Sequence, residues 1–184
     1  MKFSIHLLVI FSIFLFQRTE GSNNLISESC REASKNDPNL SHDFCVASLE
    51  EASTKSKPPP SSLKDLVGMS IQLTKSNGTI IVSLISELLK NKSFDHYAKA
   101  CLLDCSKLYS DSLSDLEDAV AAFESKDFDT ANIKASAALD NSVTCEDQFK
   151  DKKGESSPLT KENHIFFQLN VMSLAFIQMF RQYR

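Results

Sequence analysis

The chain has 184 residues, 24 acidic against 20 basic side chains for a formal net charge of −4, and 42% hydrophobic residues. The mild acidity, with no basic cluster, excludes the electrostatic footprint of a nucleic-acid binder. No segment supplies the roughly 20 consecutive apolar residues that span a bilayer as a helix.

At the N-terminus, Lys2 precedes the apolar run Ile5–Phe16, broken only by His6 and Ser12. A run this short fits the hydrophobic stretch of a secretory signal peptide. Thr19 and Gly21 set small side chains three residues and one residue before a cleavage point after Gly21. A mitochondrial presequence would be Arg-rich and amphipathic, and this stretch is neither. Residues 1–21 therefore read as a signal peptide. Residues 22–184 read as one domain of a secreted protein with no membrane segment left after cleavage.

Helical signals dominate the rest. The whole chain has only four glycines and five prolines, and the alternating β-branched pattern of strands is absent. Two short helices, about Asn24–Ala33 and Ser41–Ala52, flank the turn Asp37-Pro38-Asn39. Residues 53–62, STKSKPPPSS, form a linker to the next unit. Cys30 and Cys45 are spaced to pin the open ends of this hairpin together.

Residues 62–89 repeat apolar side chains at spacings of three and four, from Leu63 through Ile71 and Ile81 to Leu89. Ser61 or Ser62 caps the start. Asn77-Gly78 falls mid-pattern, where a glycine costs about 1 kcal/mol and invites a kink. The next stripe is Phe94, Ala98, Cys101, Cys105, Leu108, Ser112, Leu116, Ala119 and Phe123, with Ser93 or Asp95 as the cap. Ser125-Lys126-Asp127 breaks it. A third helix, Phe128–Lys150, turns Ala131, Ala135, Ala138, Ser142, Cys145 and Phe149 inward, and Gly154 stops it. A fourth, about Leu159–Phe180, buries Ile165, Phe166, Leu169, Met172, Phe176 and Met179, with Ser157 and Thr160–Glu162 supplying caps. Four long amphipathic helices on short connections predict an all-α, up-down-up-down four-helix bundle over residues 61–184. The hairpin and linker, residues 22–60, precede it.

Five cysteines, Cys30, Cys45, Cys101, Cys105 and Cys145, lie in a chain read as secreted, so they are expected to oxidise. Spacing alone leaves three connectivities open for any four of them. Cys101 and Cys105 share one helix face, where bridging would strain the helix, so each looks elsewhere. Cys105 and Cys145 sit about 21 and 19 residues either side of the Lys126-Asp127 turn, at similar height on antiparallel helices, as a bridge requires. Closing that loop stabilises by up to roughly 4 kcal/mol in the chain-entropy account. Cys101 is left as the free thiol, either an inert buried group or the point of a covalent homodimer.

The ordered set of residues resembles a known family. Cys30 and Cys45, Leu103-Asp104-Cys105-Ser106-Lys107-Leu108-Tyr109, Ser136-Ala137-Ala138-Leu139-Asp140, and Thr144-Cys145-Glu146-Asp147 with Phe149 are similar to the plant invertase and pectin methylesterase inhibitors. Lys152-Lys153-Gly154 and Ser157–Asn163 are similar, within that family, to the plane-tree pollen allergen branch. The resemblance implies a four-helix bundle with an N-terminal hairpin and bridges Cys30–Cys45 and Cys105–Cys145. Cys101 falls outside that pattern. It also implies a protein that is not an enzyme, needs no cofactor, and blocks a plant pectin methylesterase or acid invertase in a 1:1 complex. The place implied is the apoplast and cell wall, or the vacuole. Invertase-directed members carry Pro-Lys-Phe in the turn between the second and third bundle helices. Here the turn reads Ser125-Lys126-Asp127-Phe128: Lys126 and Phe128 are present, no proline is, and Asp127 intervenes. A basic tip suits the paired carboxylates of a glycosidase; the competing reading is a solvated turn with Phe128 in the core. Members directed at pectin methylesterase use the flank of the bundle.

No catalytic constellation competes with this reading. His42, His96 and His164 are scattered, and neither a phosphate loop nor a nucleophile elbow appears. Asp115/Asp118 and Asp127/Asp129 suit wet helix faces and caps better than an acid–base pair. The alternative function is a bundle of the same fold without inhibition, serving as a structural, signalling or ligand-carrying protein. Three sequons, at Asn39, Asn77 and Asn91, are candidates for N-glycosylation.

Overall fold

The structure is a computed structural model, and it describes residues 21–152 and 156–183. The signal-peptide reading of residues 1–20 and the stop signal at Gly154 lie outside the described residues. Helix α1 occupies residues 21–36. The others are α2 (His42–Lys55), α3 (Leu63–Leu88), α4 (His96–Glu124), α5 (Phe128–Lys150) and α6 (Thr160–Gln182). No strand occurs among the described residues.

Polar side chains set the helix starts. Ser41, Ser62, Asp95 and Asp127 each accept a backbone N–H from the first turn of α2, α3, α4 and α5, satisfying donors that have no partner within the helix. The expected side-chain cap of α6 is absent. Its N-cap position is Leu159, whose own side chain is buried, and Ser157 Oγ instead accepts the Leu159 N–H at 3.1 Å. The apolar anchor takes the position a polar cap would fill.

Helices α3 to α6 form the bundle. Each packs on its neighbours in chain order, and α6 closes the ring against α3. The buried residues of α5 are Ala131, Ala135, Ala138, Ser142, Cys145 and Phe149. These mostly small side chains let α4 and α5 lie close, with Cα atoms of Cys105 and Cys145 5.0 Å apart across a disulfide. Helix α6 is buried on more sides than a single apolar stripe predicts. Asn163, Gln168, Asn170 and Ser173 are buried beside Phe166, Met172 and Phe176, because α3, α5 and the hairpin all pack on it.

The hairpin is held at both ends. Cys30 and Cys45 are bridged with Cα atoms 5.7 Å apart. The bridge sits close to the 37–41 turn, which corrects its expected place at the open ends: α1 runs three residues past Ala33, so Cys30 falls mid-helix. The open ends meet instead through Ser22 and Ser53, whose hydroxyls lie 3.3 Å apart. Gln168 of α6 clamps the turn, accepting the Ser41 N–H at 3.0 Å and donating to the Asn39 carbonyl.

Asn77-Gly78 does not interrupt α3, which is continuous through it. A Cβ at Gly78 would stand 3.0 Å from Phe166 Cε2 and 3.1 Å from Leu113 Cδ2. The glycine admits α4 and α6 side chains to the backbone of α3, and that packing offsets its low helix propensity.

Candidate functional site

The α4–α5 turn is built by two capping devices that share one residue. Helix α4 ends with the Asp127 N–H donating to the Ala122 carbonyl at 2.9 Å and the Lys126 N–H donating to the Phe123 carbonyl at 3.1 Å. This is the paired closure of a Schellman motif, which needs a left-handed residue at the position after the cap. Lys126 supplies it with φ 69°, where glycine is usual and a side chain costs about 1–2 kcal/mol. Asp127 then starts α5, its carboxylate accepting the Thr130 N–H at 3.1 Å. Hydrogen bonding to the Thr130 side chain and backbone holds that carboxyl below the ordinary aspartate value.

Lys126 and Asp127 are exposed, while Phe128 is half-buried. The Phe128 ring lies 5.4 Å from Phe123 and 5.6 Å from Phe180, and these two are 5.1 Å from each other. Three tilted rings at these distances make mutually favourable edge contacts. Phe128 therefore belongs to an aromatic cluster that closes this end of the bundle. Beside the cluster, Asp129 pairs with Arg181 at 2.7 Å. Sequence reasoning did not anticipate Phe180 as the partner of Phe128. Its signal was register: the end of α6 returns to the pole where α4 meets α5.

The acidic pair Asp115/Asp118 serves the helix flank. Lys134 of α5 reaches both carboxylates, at 3.0 and 2.8 Å, and ties α5 to α4. Among the described residues, no group of three or more His, Cys, Asp or Glu side chains is placed to hold a metal ion. None of the described helices is long and apolar enough to cross a membrane.

Cys101 is 5% exposed and carries no disulfide. Its thiol points to the Gln148 carbonyl at 3.9 Å, which also accepts the Tyr97 hydroxyl at 2.6 Å. Burial pushes the thiol above its ordinary value, outweighing the Tyr97 hydrogen bond. A buried, protonated thiol is a poor nucleophile.

A polar chain crosses the other half of the bundle. The buried Tyr109 hydroxyl donates to Asn163 Oδ1 at 2.6 Å, and Asn163 Nδ2 donates to Glu146 Oε2 at 2.7 Å. Thr160 Oγ1 donates to Glu146 Oε1 at 2.8 Å. These residues join α4, α5 and α6, and Tyr109 and Glu146 lie within segments already singled out in the sequence.

The family model described as plant invertase/pectin methylesterase inhibitor matches residues 24–176. The chain belongs to this family. It is an inhibitor-family protein and not an enzyme. A "Putative invertase inhibitor" of Platanus acerifolia is 41% identical over 179 residues, covering 95% of this chain and 96% of the relative. "Pectinesterase inhibitor 12" of Arabidopsis thaliana is 38% identical, covering 97% and 99%. The crystal structure of a mutant form of a pectin methylesterase inhibitor from Arabidopsis superposes with a TM-score of 0.64 at 23% identity, over 75% of this chain and 89% of that one. A second Arabidopsis pectin methylesterase inhibitor structure gives 0.58 at 24%, over 81% and 95%. These two likenesses concern the fold. The two candidate surfaces expected from the sequence are the α4–α5 tip and the flank of the bundle. Exposed large apolar side chains along the helices are Ile80 on α3, Leu103 on α4 and Ile133 and Val143 on α5.

Proposed function

We propose that this inhibitor-family protein is secreted and blocks a plant pectin methylesterase in a 1:1 complex, using the flank of the bundle. One observation carries the choice of target: Phe128 is engaged with Phe123 and Phe180, and Asp127 caps α5, so the turn offers no free Lys-Phe probe. The exposed apolar side chains Leu103, Ile133 and Val143 are the kind of anchors an interface of about 800 Å² per partner needs on a polar surface. The place of action is the cell wall, where the substrate of such an enzyme lies.

Acid invertase is the second target reading. It is favoured by Lys126, an exposed cation in the turn, and by the 41% identity to a relative named for invertase. A covalent dimer through Cys101 is disfavoured by the burial of that thiol.

The test is a paired titration of oxidised protein against a plant pectin methylesterase and a plant acid invertase at acid pH. Loss of esterase activity with an equivalence point at one inhibitor per enzyme, unchanged in Lys126→Ala, supports the proposal. Loss of invertase activity alone, relieved by Lys126→Ala, moves the site to the turn. If neither enzyme responds, a bundle of the same fold without inhibition becomes the account.

A further inference from the structure

The sequons sit in three different physical settings, and the bundle does not treat them alike. Asn77 lies inside α3, half-buried, with its Oδ1 shielded and without a hydrogen-bond partner. Its neighbour Gly78 is in contact with Phe166 and Leu113, and the Thr79 hydroxyl is spent on the Lys75 carbonyl at 3.0 Å. A sugar on Asn77 would have to enter this helix packing. Asn39 is exposed but committed: its N–H and Nδ2 both donate to Asp37 Oδ1, at 2.9 and 3.1 Å, and its carbonyl accepts from Gln168. The hydroxyl of its sequon, Ser41, caps α2. A glycan on Asn39 would disturb the turn that seats the hairpin on α6.

Asn91 differs on each count. It is exposed in the short connection between α3 and α4, outside both helices. Its Oδ1 accepts the Ser93 N–H at 2.9 Å, a side-chain turn that closes the sequon on itself. The amide nitrogen is thereby directed away from that bond. Asn91 also lies at the pole opposite the α4–α5 turn. Asn91 precedes the start of α4, and Lys126 follows its end; 29 residues of helix separate them by about 44 Å. A glycan there leaves the α4–α5 tip clear.

We propose that the folded protein carries an N-linked oligosaccharide at Asn91 and none at Asn39 or Asn77. This rests on the secretion proposed above, because the donor is a lipid-pyrophosphate-linked oligosaccharide of the secretory pathway. Asn91 Nδ2 attacks C1 of the donor sugar. The C1–O bond to the pyrophosphate breaks, the C1–N bond forms, and one amide proton leaves as the lipid pyrophosphate departs.

The experiment expresses the full chain in plant cells and follows it in the extracellular fluid and inside the cells. Secreted protein is mapped by peptide mass spectrometry after enzymatic release of glycans in heavy-oxygen water, alongside Asn91→Gln, Asn77→Gln and Asn39→Gln. The expected result is one occupied site, Asn91, and loss of the single gel-mobility shift only in Asn91→Gln. Secreted wild-type protein with Asn91 unmodified, or with the glycan at Asn39 or Asn77, overturns the assignment while leaving secretion intact. A chain retained in the cytosol overturns both. Asn91→Gln that remains secreted and monomeric shows that the lost shift is loss of the glycan and not of the fold.

Discussion

The carboxylate of Asp127 accepts the backbone N–H of Thr130 at 3.1 Å, while the N–H of Asp127 donates to the Ala122 carbonyl at 2.9 Å. One residue thus completes the end of α4 and begins α5, and Lys126 is forced into the left-handed region between them. Replacing Lys126 with glycine removes the Cβ penalty, worth about 1–2 kcal/mol, against a smaller entropic cost in the unfolded chain. Lys126→Gly is expected to raise stability by about 1 kcal/mol, read as a higher denaturant midpoint at unchanged m-value. Lys126→Ala keeps the penalty and should leave stability nearly unchanged. If Lys126→Gly destabilises the protein, the turn is held by the lysine side chain and not by its backbone.

Gly78 makes the opposite prediction. In an ordinary helix interior, Gly→Ala gains about 1 kcal/mol. Here the new Cβ meets Phe166 Cε2 at 3.0 Å and Leu113 Cδ2 at 3.1 Å. Phe166 is fully buried and lies edge-on to Tyr109, with centroids 5.0 Å apart, so it has little room to retreat. Overpacking costs about 1–3 kcal/mol and outweighs the propensity gain. Gly78→Ala should lower stability by about 1 kcal/mol, and adding Leu113→Ala should recover part of it. A stabilised Gly78→Ala chain would mean that α3 and α6 separate easily at this level.

The same position shows what the sequence could and could not say. The inward stripe of α5 and the pairing height of Cys105 with Cys145 were legible, because both depend on one helix's period and a short turn. Gly78 carries no such signal: its role comes from Phe166 and Leu113, which are distant in the chain. For α6 the sequence shows only one buried stripe, because periodicity reports a helix with a single buried face. Its buried Gln168 and Ser173 make sense only once Asn39, Ser41 and Thr74 are seen beside them. At the candidate site, Lys126 and Asp127 were legible as a turn. The engagement of Phe128 was not, because it requires the end of α6 to arrive at the same pole.

Acid tolerance follows from carboxylates at the helix starts. Asp95 is held below the ordinary value of 3.8 by the Ala98 N–H and then by Lys152, and Asp127 is held below it by Thr130. At Asp65, burial pushes the carboxyl up, but hydrogen bonds from Ser61 and Ser62 outweigh it. A carboxylate with a depressed folded-state value stabilises the fold above its unfolded value and loses that contribution as pH falls through the folded one. These three carboxylates, two of them caps and the third in the first turn of α3, are therefore fully effective down to about pH 4 and fail below it. Denaturant melts should give a flat contribution from these carboxylates between neutral pH and about pH 4.5, then a decline. Asp65→Asn and Asp127→Asn should each make the decline shallower. A decline already complete at pH 5 would place the sensitive groups elsewhere.

Tyr109 is the most consequential polar contact in the core. Its hydroxyl is buried and donates to Asn163 Oδ1 at 2.6 Å, and burial pushes the phenol well above its ordinary value, so it stays a donor at any pH the protein meets. Tyr109→Phe keeps the ring against Phe166 and deletes only this bond. Asn163 is itself buried, and its Nδ2 is committed to Glu146, so rotating the amide to rescue Oδ1 would break a second bond. Leaving a buried acceptor unpaired costs about 1–3 kcal/mol, more than the net worth of an average hydrogen bond. Tyr109→Phe is expected to lose about 2 kcal/mol. The cycle with Asn163→Ala should return a coupling energy of about 1 kcal/mol or more, as contacting residues do. A single-variant loss under about 0.5 kcal/mol, the scale of a neutral surface change, would show that water reaches Asn163 and that this end of the bundle is open.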